Sequence, residues 1–592
     1  MNTDTIIIKR ILQACLQEQL LPYQTNGDRV TIILNNKRLI SSFSLWKLGK
    51  FELHGEILLA DENGATHALD DLPLLLSLLE QPLQALTSLQ QWQCLISEIT
   101  NCAHNLSMTT SFMRETNHQL NDAMKQSSMS SLLPYLMTCH DTSTLLSFFE
   151  QWAASGHPSH PCHKTKMGFT AQQYRQYSPE FNSNIPIPLI AVDQTVMHLA
   201  HSEADFDYNQ WFAHHFKKQW EQYKTQLHLL GFSEDQYYPI FSHPWQMANT
   251  LPTLFEALIA AQKIILFPEI TLQTKASLSF RTLISQEAPT HPHIKLPVAV
   301  TSTSAMRTVS PASVQNGPAL THIFNDILRK EHDFNHTLKI ANDLCGLHIQ
   351  QNNASLEKHF SILYRHNPTL MVKETQIPIV TAALFEISPV TQLPLFIEIM
   401  QNAVGVSLEA AANYFSDYCK LVLQPTIGLS LLYGISLEGH QQNTIMVFEN
   451  NRPAFMIARD MGGLQIYLPV LEKAGYHFNA YPESSIISHT PDQNTNTFIH
   501  SVLNCHLGEI ILMLAKYFKV SETMFWEILR TNMETIFQQL KPRVDPVVWQ
   551  REYDAIFTQK WLVKSLLHMR LKNTSADYIN IALANPFSEQ KP

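Results

Sequence analysis

The chain has little of what would place it quickly in several common classes. Its 592 residues carry only 16% charged side chains, and no block of lysine and arginine stands out against a net charge of −10. That excludes generic nucleic-acid binding through a basic patch. Eight cysteines are scattered, at 15, 94, 102, 139, 162, 345, 419 and 505, and none forms a Cys-x-x-Cys pair. Such spacing fits thiols of a reducing cytosol better than a disulfide framework. The N-terminal residues lack the charged start, apolar stretch and small-residue cleavage site of a signal peptide. No apolar run approaches the ~18 residues of a membrane span. No Gly-x4-Gly-Lys-Ser/Thr is present, so this is not a P-loop ATPase. The expectation is a soluble cytoplasmic protein without nucleic-acid or membrane partners.

What the chain does have is apolar content, 45%, and length enough for roughly three to four domain-sized units. Residues 5–20 place Ile7, Ile8, Ile11, Leu12, Cys15 and Leu16 on one helical face. Runs at 30–34 and 51–59 predict strands, the first closing on an Asn-Asn turn. From Leu72 to about Phe149 the pattern is helical and holds no catalytic cluster, as in a scaffold or lid. Residues 310–330 include Ser310-Pro311 and Asn316-Gly317-Pro318, turn-rich signals before a helix, and a boundary near 340 follows. The reading is α+β, divided 1–155, 156–340 and 341–592, with a mostly helical C-terminus.

The richest stretch is Leu437-Glu438-Gly439-His440-Gln441-Gln442-Asn443, followed by two short apolar runs around Glu449-Asn-Asn-Arg-Pro453 and ending in Arg459-Asp460. This predicts a β-hairpin turning near Asn450 and Asn451, with Asn443 roughly opposite Ala458. Asp460 then lies beside Gln441 and Gln442, with Glu438 just upstream. Carboxylates, an imidazole, amides and a guanidinium gathered there are the inventory of a magnesium–phosphate site, with Glu438 and Asp460 as metal ligands.

A second stretch, Gly156-His157-Pro158-Ser159-His160-Pro161-Cys162-His163-Lys164, holds three histidines and a cysteine. No second ligand pair follows, so a zinc site is disfavoured. Its prolines predict an extended path that points His157, His160 and Lys164 in different directions, suited to a polyanion. His243, in His243-Pro244-Trp245-Gln246, reads as a packing or hydrogen-bonding residue. Further on, residues 274–283 and 295–308 alternate apolar with hydroxyl or cationic residues, as half-buried strands do. Ser277, Ser279 and Arg281 then share one face. Lys295 shares a face with Thr301 if the strand stays regular, and Arg307 follows loop residues. Hydroxyls beside Arg and Lys are good triphosphate partners.

Taken together these blocks resemble the siderophore synthetases that work independently of non-ribosomal peptide synthetases, the aerobactin-synthetase family. The resemblance rests on Glu-Gly-His-Gln-Gln-Asn with Arg-Asp, on the His-Pro stretch with Tyr177-Ser-Pro-Glu-Phe181, on Ser279-Phe-Arg281-Thr282, and on Lys295-Leu with Thr301-Ser302 and Arg307. His-Pro-Trp-Gln, Tyr364-Arg365-His366-Asn367-Pro368 and Lys564 to Arg570 add to it. In this chain Thr303-Ser304 lengthens the interval before Arg307, which loosens the register of that residue.

The resemblance implies a three-subdomain thumb, fingers and palm fold. It implies ATP-dependent adenylation of a polycarboxylate, citrate being usual, and attack by an amine or hydroxyl. Ser277, Ser279, Arg281, Thr282, Lys295, Arg307 and His440 would bind ATP, and His440, Lys295 and Arg307 would be catalytic. His160, Thr301, Arg307, Arg365 and Gln442 would orient the carboxylate substrate, and Glu438 and Asp460 would hold Mg²⁺. Family C-termini also resemble ferric-reductase domains with paired cysteines; only Cys505 lies beyond Ile499, which excludes an iron–sulfur cluster. A late-acting subtype that uses a citrate monoamide or succinyl-hydroxamate, and a non-catalytic nucleotide- or metallophore-binding homologue, stay open. The family often dimerises, so a homodimer is compatible with the sequence, although no stretch announces an interface.

Overall fold

The computed structural model describes residues 2–303, 305–482, 484–574 and 578–588. The first helix, Thr3–Gln17, forms where the apolar spacing predicts it, and Asn2 caps it. Its buried stripe packs on a five-stranded antiparallel meander, Tyr23–Asn26, Arg29–Leu34, Lys37–Trp46, Lys50–Ala60 and Thr66–Ala68. The helix Leu89–Gln126 opens with a Ser88–Gln91 capping box and adds Trp92, Leu95, Ile99 and Cys102 to the same core.

A second core lies against an eight-stranded sheet. Its strand order is Met197–His201, Asp343–Ile349, Ser361–Arg365, His293–Lys295, Thr282–Ser285, Ile264–Ala276, Ile185–Asp193 and Tyr237–Phe241. Ala276, Leu283, Ile294 and Tyr364 lie side by side on the core face. The two-residue period of a strand puts Thr282, His293, Lys295 and Arg365 on the opposite face. That face meets a third core, built on the four-stranded sheet of Leu338–Ala341, Arg452–Arg459, Thr444–Glu449 and Gln376–Val380 together with the helices Pro311–Lys330 and Leu408–Tyr433.

These cores do not divide at the expected positions. The eight-stranded sheet takes two strands from beyond residue 340, while Leu320, Phe324 and Ile327 from before it join the third core. Phe149 and Trp152, from before residue 155, join that core too. The chain passes repeatedly between layers, so a linear cut cannot separate them. Asn316-Gly317-Pro318 is no turn either: it lies inside Pro311–Lys330. A Cβ on Gly317 would stand 2.6 Å from Asp343 Oδ2, so the glycine serves close helix–strand packing.

One helical stretch, Pro491–Phe518, is long and apolar enough to cross a membrane by composition, but 78% of its apolar window is buried in the protein. Its middle, Ile499–Leu507, is a π-helix, a geometry that widens the turn and frees carbonyls for other partners.

The two ends of the chain are joined by a buried ion pair. Arg570 donates from Nε and Nη2 to Glu98 at 2.6 and 2.5 Å, and both residues are nearly inaccessible. Arg570→Ala would strand the Glu98 carboxylate in the interior, a loss of about 3–5 kcal/mol. The thermal midpoint should fall by several degrees; a variant that melts with the parent would show the pair to be dispensable.

Candidate active site

The predicted hairpin is present, with Asn450 and Asn451 in the left-handed region at φ 51° and 60°. Its register is shifted by one: Ala458 faces Thr444, not Asn443, because the pairing slips between Val447 and Phe448. Asn443 instead accepts from Arg459 N at 3.0 Å through its carbonyl. Upstream, the π-helix holds the Glu438 loop from behind. Ser501 Oγ donates to Leu437 O, Gln441 Nε2 donates to Cys505 O at 2.9 Å, and His506 Nδ1 meets Gly439 O at 3.2 Å. Glu438 Oε2 accepts from Asn443 Nδ2 at 3.2 Å and lies 3.6 Å from His440 Nε2.

The two predicted metal ligands approach the same dipeptide. A Cβ on Gly462 would be 3.4 Å from Asp460 Oδ1, and one on Gly463 would be 1.9 Å from Glu438 Oε2. No side chain fits at Gly463. Burial favours the protonated Glu438, but His440 and Lys564 outweigh it and lower its pKa, while Asp460 pushes the other way. No group of three or more His, Cys, Asp or Glu suited to a metal occurs among the described residues.

Asp460 is the electrostatic centre. It accepts from Lys295 Nζ at 2.7 and 2.9 Å and lies 3.5 Å from Arg365 Nη2. Its burial is outweighed by Lys295, Arg365 and Arg281, which hold it well below the ordinary carboxylate range. Lys295 is almost fully buried, and desolvation brings its pKa down to about 8 despite Asp460. Arg307 is drawn down by burial to about 10, with Arg281 the next cause, and its guanidinium reaches Thr303 Oγ1. Arg365 differs from expectation. Rather than standing open as a carboxylate clamp, it donates from Nε to Asp343 Oδ1 at 2.7 Å inside the sheet. Strand pairing sets Asp343 opposite it.

Two predicted strands are corrected. Residues 277–281 form a tight turn between Ile264–Ala276 and Thr282–Ser285, so Ser277, Ser279 and Arg281 do not share one strand face. Ser277 Oγ and Ser279 Oγ are 3.2 Å apart, Thr282 N donates to Ser279 Oγ at 3.2 Å, and the Arg281 guanidinium reaches Thr308 O. The second predicted strand ends at Lys295. A separate ribbon, Thr301–Ser302 with Ala305–Met306, carries Thr301 and leads to Arg307. Ser304 lies outside the described residues. The alternation was real, but paired hydroxyls around Phe280, itself at φ 52°, are turn chemistry.

Glu150 was not foreseen. It is fully buried near the end of Thr142–Trp152, where Oε1 lies 2.5 Å from Arg459 Nη1, and Oε2 accepts from Arg459 Nη2 at 3.0 Å and Leu278 N at 2.8 Å. It therefore ties the serine turn to the hairpin end. A carboxylate amid Leu145, Leu146, Phe149 and Trp152 was the available signal.

The His-Pro stretch is folded into turns rather than extended. Lys164 is buried on Glu180 at 2.9 Å and so is unavailable to a polyanion. His160 Nδ1 accepts from Cys162 N at 3.0 Å, which assigns the proton of the neutral ring to Nε2. Burial, then Arg307, lowers its pKa to about 3. Thr301 exchanges backbone hydrogen bonds with Met167, which brings this stretch beside the ribbon. His243 is buried as the N-cap of Pro244–Asn249 and packs edge-on against Tyr177, a structural role as read. Gln442 is half-buried, and its carbonyl accepts from Arg459.

Residues 145–386 match the IucA / IucC family, and residues 412–579 match the ferric iron reductase FhuF-like transporter family. Within the second match stand two cysteines, Cys419 and Cys505, both buried. Staphyloferrin A synthase of Staphylococcus aureus is 26% identical, over 100% of this chain and 99% of its own. D-ornithine--citrate ligase of the same organism is 29% identical over 74% of this chain and 69% of its own. ATP-bound aerobactin synthetase IucA of Klebsiella pneumoniae superposes with a TM-score of 0.80 at 19% identity, over 99% of this chain and 100% of that one. The fold is that of the thumb, fingers and palm synthetases. Over nearly its whole length the chain is thus similar to synthases and ligases of siderophore biosynthesis.

Gly463→Ala is expected to push the Glu438 carboxylate off Asn443 with little effect on the three cores. A crystal structure of the variant with that contact intact would show the loop to be more yielding than its packing implies.

Proposed function

We propose that this chain is an ATP-dependent acid–amine ligase of siderophore biosynthesis, one that adenylates a polycarboxylate, citrate first among the candidates, and passes the acyl group to an amine or hydroxyl. The observation that carries the reading is the convergence of Lys295, Arg281 and Arg307 with Asp460 and Glu438, from separate elements, in one place. The family match and the ligase names of the relatives support it.

A carboxylate is a poor acyl donor because oxide would have to leave. Attack of a carboxylate oxygen on the α-phosphorus of ATP forms the acyl-adenylate and expels pyrophosphate; the nucleophile then displaces AMP. Arg281, Arg307 and Lys295 stabilise the charge that develops on the phosphoryl oxygens, and they do so in a site preorganised by burial. The Ser277–Ser279 turn offers hydroxyls and backbone donors to the same oxygens. His440 is placed beside Glu438, toward the transferring phosphate. His160 would lie on the carboxylate-substrate side, and Thr301 holds the neighbouring ribbon. Arg365 positions Asp460 rather than touching substrate. No covalent nucleophile is required; orientation and electrostatics carry the rate.

Glu438, Asp460 and the Asn443 amide form a hard oxygen set that fits Mg²⁺ arriving with the nucleotide, since such sites use one or two carboxylates and complete the shell with phosphates and water. Bound there, the ion would neutralise phosphate charge. If Asp460 coordinated such an ion, Lys295, which now donates to it, would be available to the triphosphate.

Pyrophosphate release with hydroxylamine as surrogate nucleophile, run with citrate, succinate and 2-oxoglutarate, should be citrate-dependent. Silence with all three, in protein that binds ATP, would favour a preformed monoamide substrate or the non-catalytic reading. Arg307→Ala and Lys295→Ala should each lower release by about 100-fold or more, on the scale of a lost transition-state donor. Because Lys295 titrates near 8 and is charged below that value, kcat/KM for ATP should be level toward neutrality and fall as pH rises through about 8. A profile flat to pH 9.5 would remove Lys295 from the binding site.

A further inference from the structure

Lys166 belongs to neither the expected site nor the pairing scheme of the cores. Its side chain is only 8% exposed, yet among the described residues no carboxylate pairs with its ammonium. Glu180 attracts it without an ion pair, and the Glu180 Oε1 atom accepts from Lys164 Nζ at 2.9 Å, Tyr174 OH at 2.7 Å and Thr109 Oγ1 at 3.3 Å. Lys166 Nζ instead lies 4.9 Å from the ring centroid of Phe280, in the serine turn. Its backbone is fixed on both sides, by Asn101 Oδ1 on Lys166 N at 2.9 Å and by the Met167–Thr301 bridge. The other charged groups that act on it are Lys164, Arg307 and the distant Cys102 thiol.

A buried cation without a partner is costly, and proteins keep one where a ligand supplies the counter-charge. Arg307 is half-buried, has no ion pair among the described residues and acts electrostatically on Lys166. Arg281 is the third such cation around the same turn. Lys166 adjoins Met167, which pairs with Thr301, whereas Lys295 is held by Asp460, where the metal and outer phosphates belong in the reading above.

We propose that Lys166 contacts the carboxylate substrate directly, pairing with a carboxylate of the polyanion beside Arg307 and Thr301, with the Phe280 ring holding its ammonium in place. The inference rests on the adenylating reading and adds a residue to it. Burial, with Lys164 and Arg307 opposing the pull of Glu180, brings the Lys166 pKa down to about 8, so the lysine remains mostly charged at neutral pH and gains most from an arriving anion.

The test uses the full chain and its Lys166→Met and Lys166→Arg variants. Citrate binding is measured by calorimetry in the presence of a non-hydrolysable ATP analogue, and pyrophosphate release is measured alongside. Lys166→Met should weaken citrate binding and raise its KM at least tenfold, leave the KM for ATP within twofold, and melt no lower than the parent because an unpaired buried charge is gone. Lys166→Arg should restore most of the citrate affinity. Unchanged citrate binding in Lys166→Met, or a lower melting point with citrate and ATP parameters impaired equally, would overturn the assignment and leave the adenylating reading standing. A parent protein that neither binds nor turns over citrate, succinate or 2-oxoglutarate would overturn that reading, and this inference with it.

Discussion

The arrangement depends on one ion pair. Lys295 and Asp460 are 165 residues apart in sequence and 2.7 Å apart in space, one at the end of a strand in the eight-stranded sheet and the other just past the end of a strand in the four-stranded sheet. Burial works against the charge on each, and each supports the ionised form of the other, with Arg365 and Arg281 adding to the hold on Asp460. Around them the remaining groups fall into a graded series. Arg365 is fixed by Asp343, Arg459 by Glu150, and Arg281 and Arg307 have no carboxylate among the described residues. Arg365 and Arg459 thus have carboxylates of their own, Lys295 shares Asp460 with Arg365, and Arg281 and Arg307 have none among the described residues.

That division explains why several groups matter without being reactive. Glu150 reaches both the serine turn and Arg459, so it fixes the distance between that turn and the hairpin end. The π-helix does the same for the Glu438 loop, since its widened turn presents Cys505 O to Gln441 and brings His506 to Gly439 O. Gly463 completes the enclosure by having no side chain where Glu438 must lie. Rigid support of this kind is what a reaction driven by positioning and electrostatics requires.

Much of the molecule was legible in the sequence because it is set by short-range physics. The stripe of the first helix, the Asn450-Asn451 turn and the helical run after Leu72 follow from periodicity and turn chemistry, and the structure has them. The Glu438–His440–Asp460 group was legible because a hairpin brings its ends together. Misreadings came where local signals were ambiguous. Alternation through 274–283 suits a strand or two strands and a turn, and only pairing with neighbours chooses between them. Asn316-Gly317-Pro318 reads as a turn until Asp343 is seen to need the space beside Gly317.

By itself, then, the sequence determined the element types, the hairpin with its carboxylates, the missing P-loop and the family of reactions to which these residues belong. Only the tertiary structure decided which cation meets which anion. It assigned Arg365 to Asp343, Lys164 to Glu180 and Arg459 to Glu150, and gave Lys166, Arg281 and Arg307 no carboxylate partner among the described residues. The reason is range. Periodicity and turns act over a few residues, whereas the pairing of a buried charge depends on desolvation and on partners that the chain brings in from hundreds of residues away.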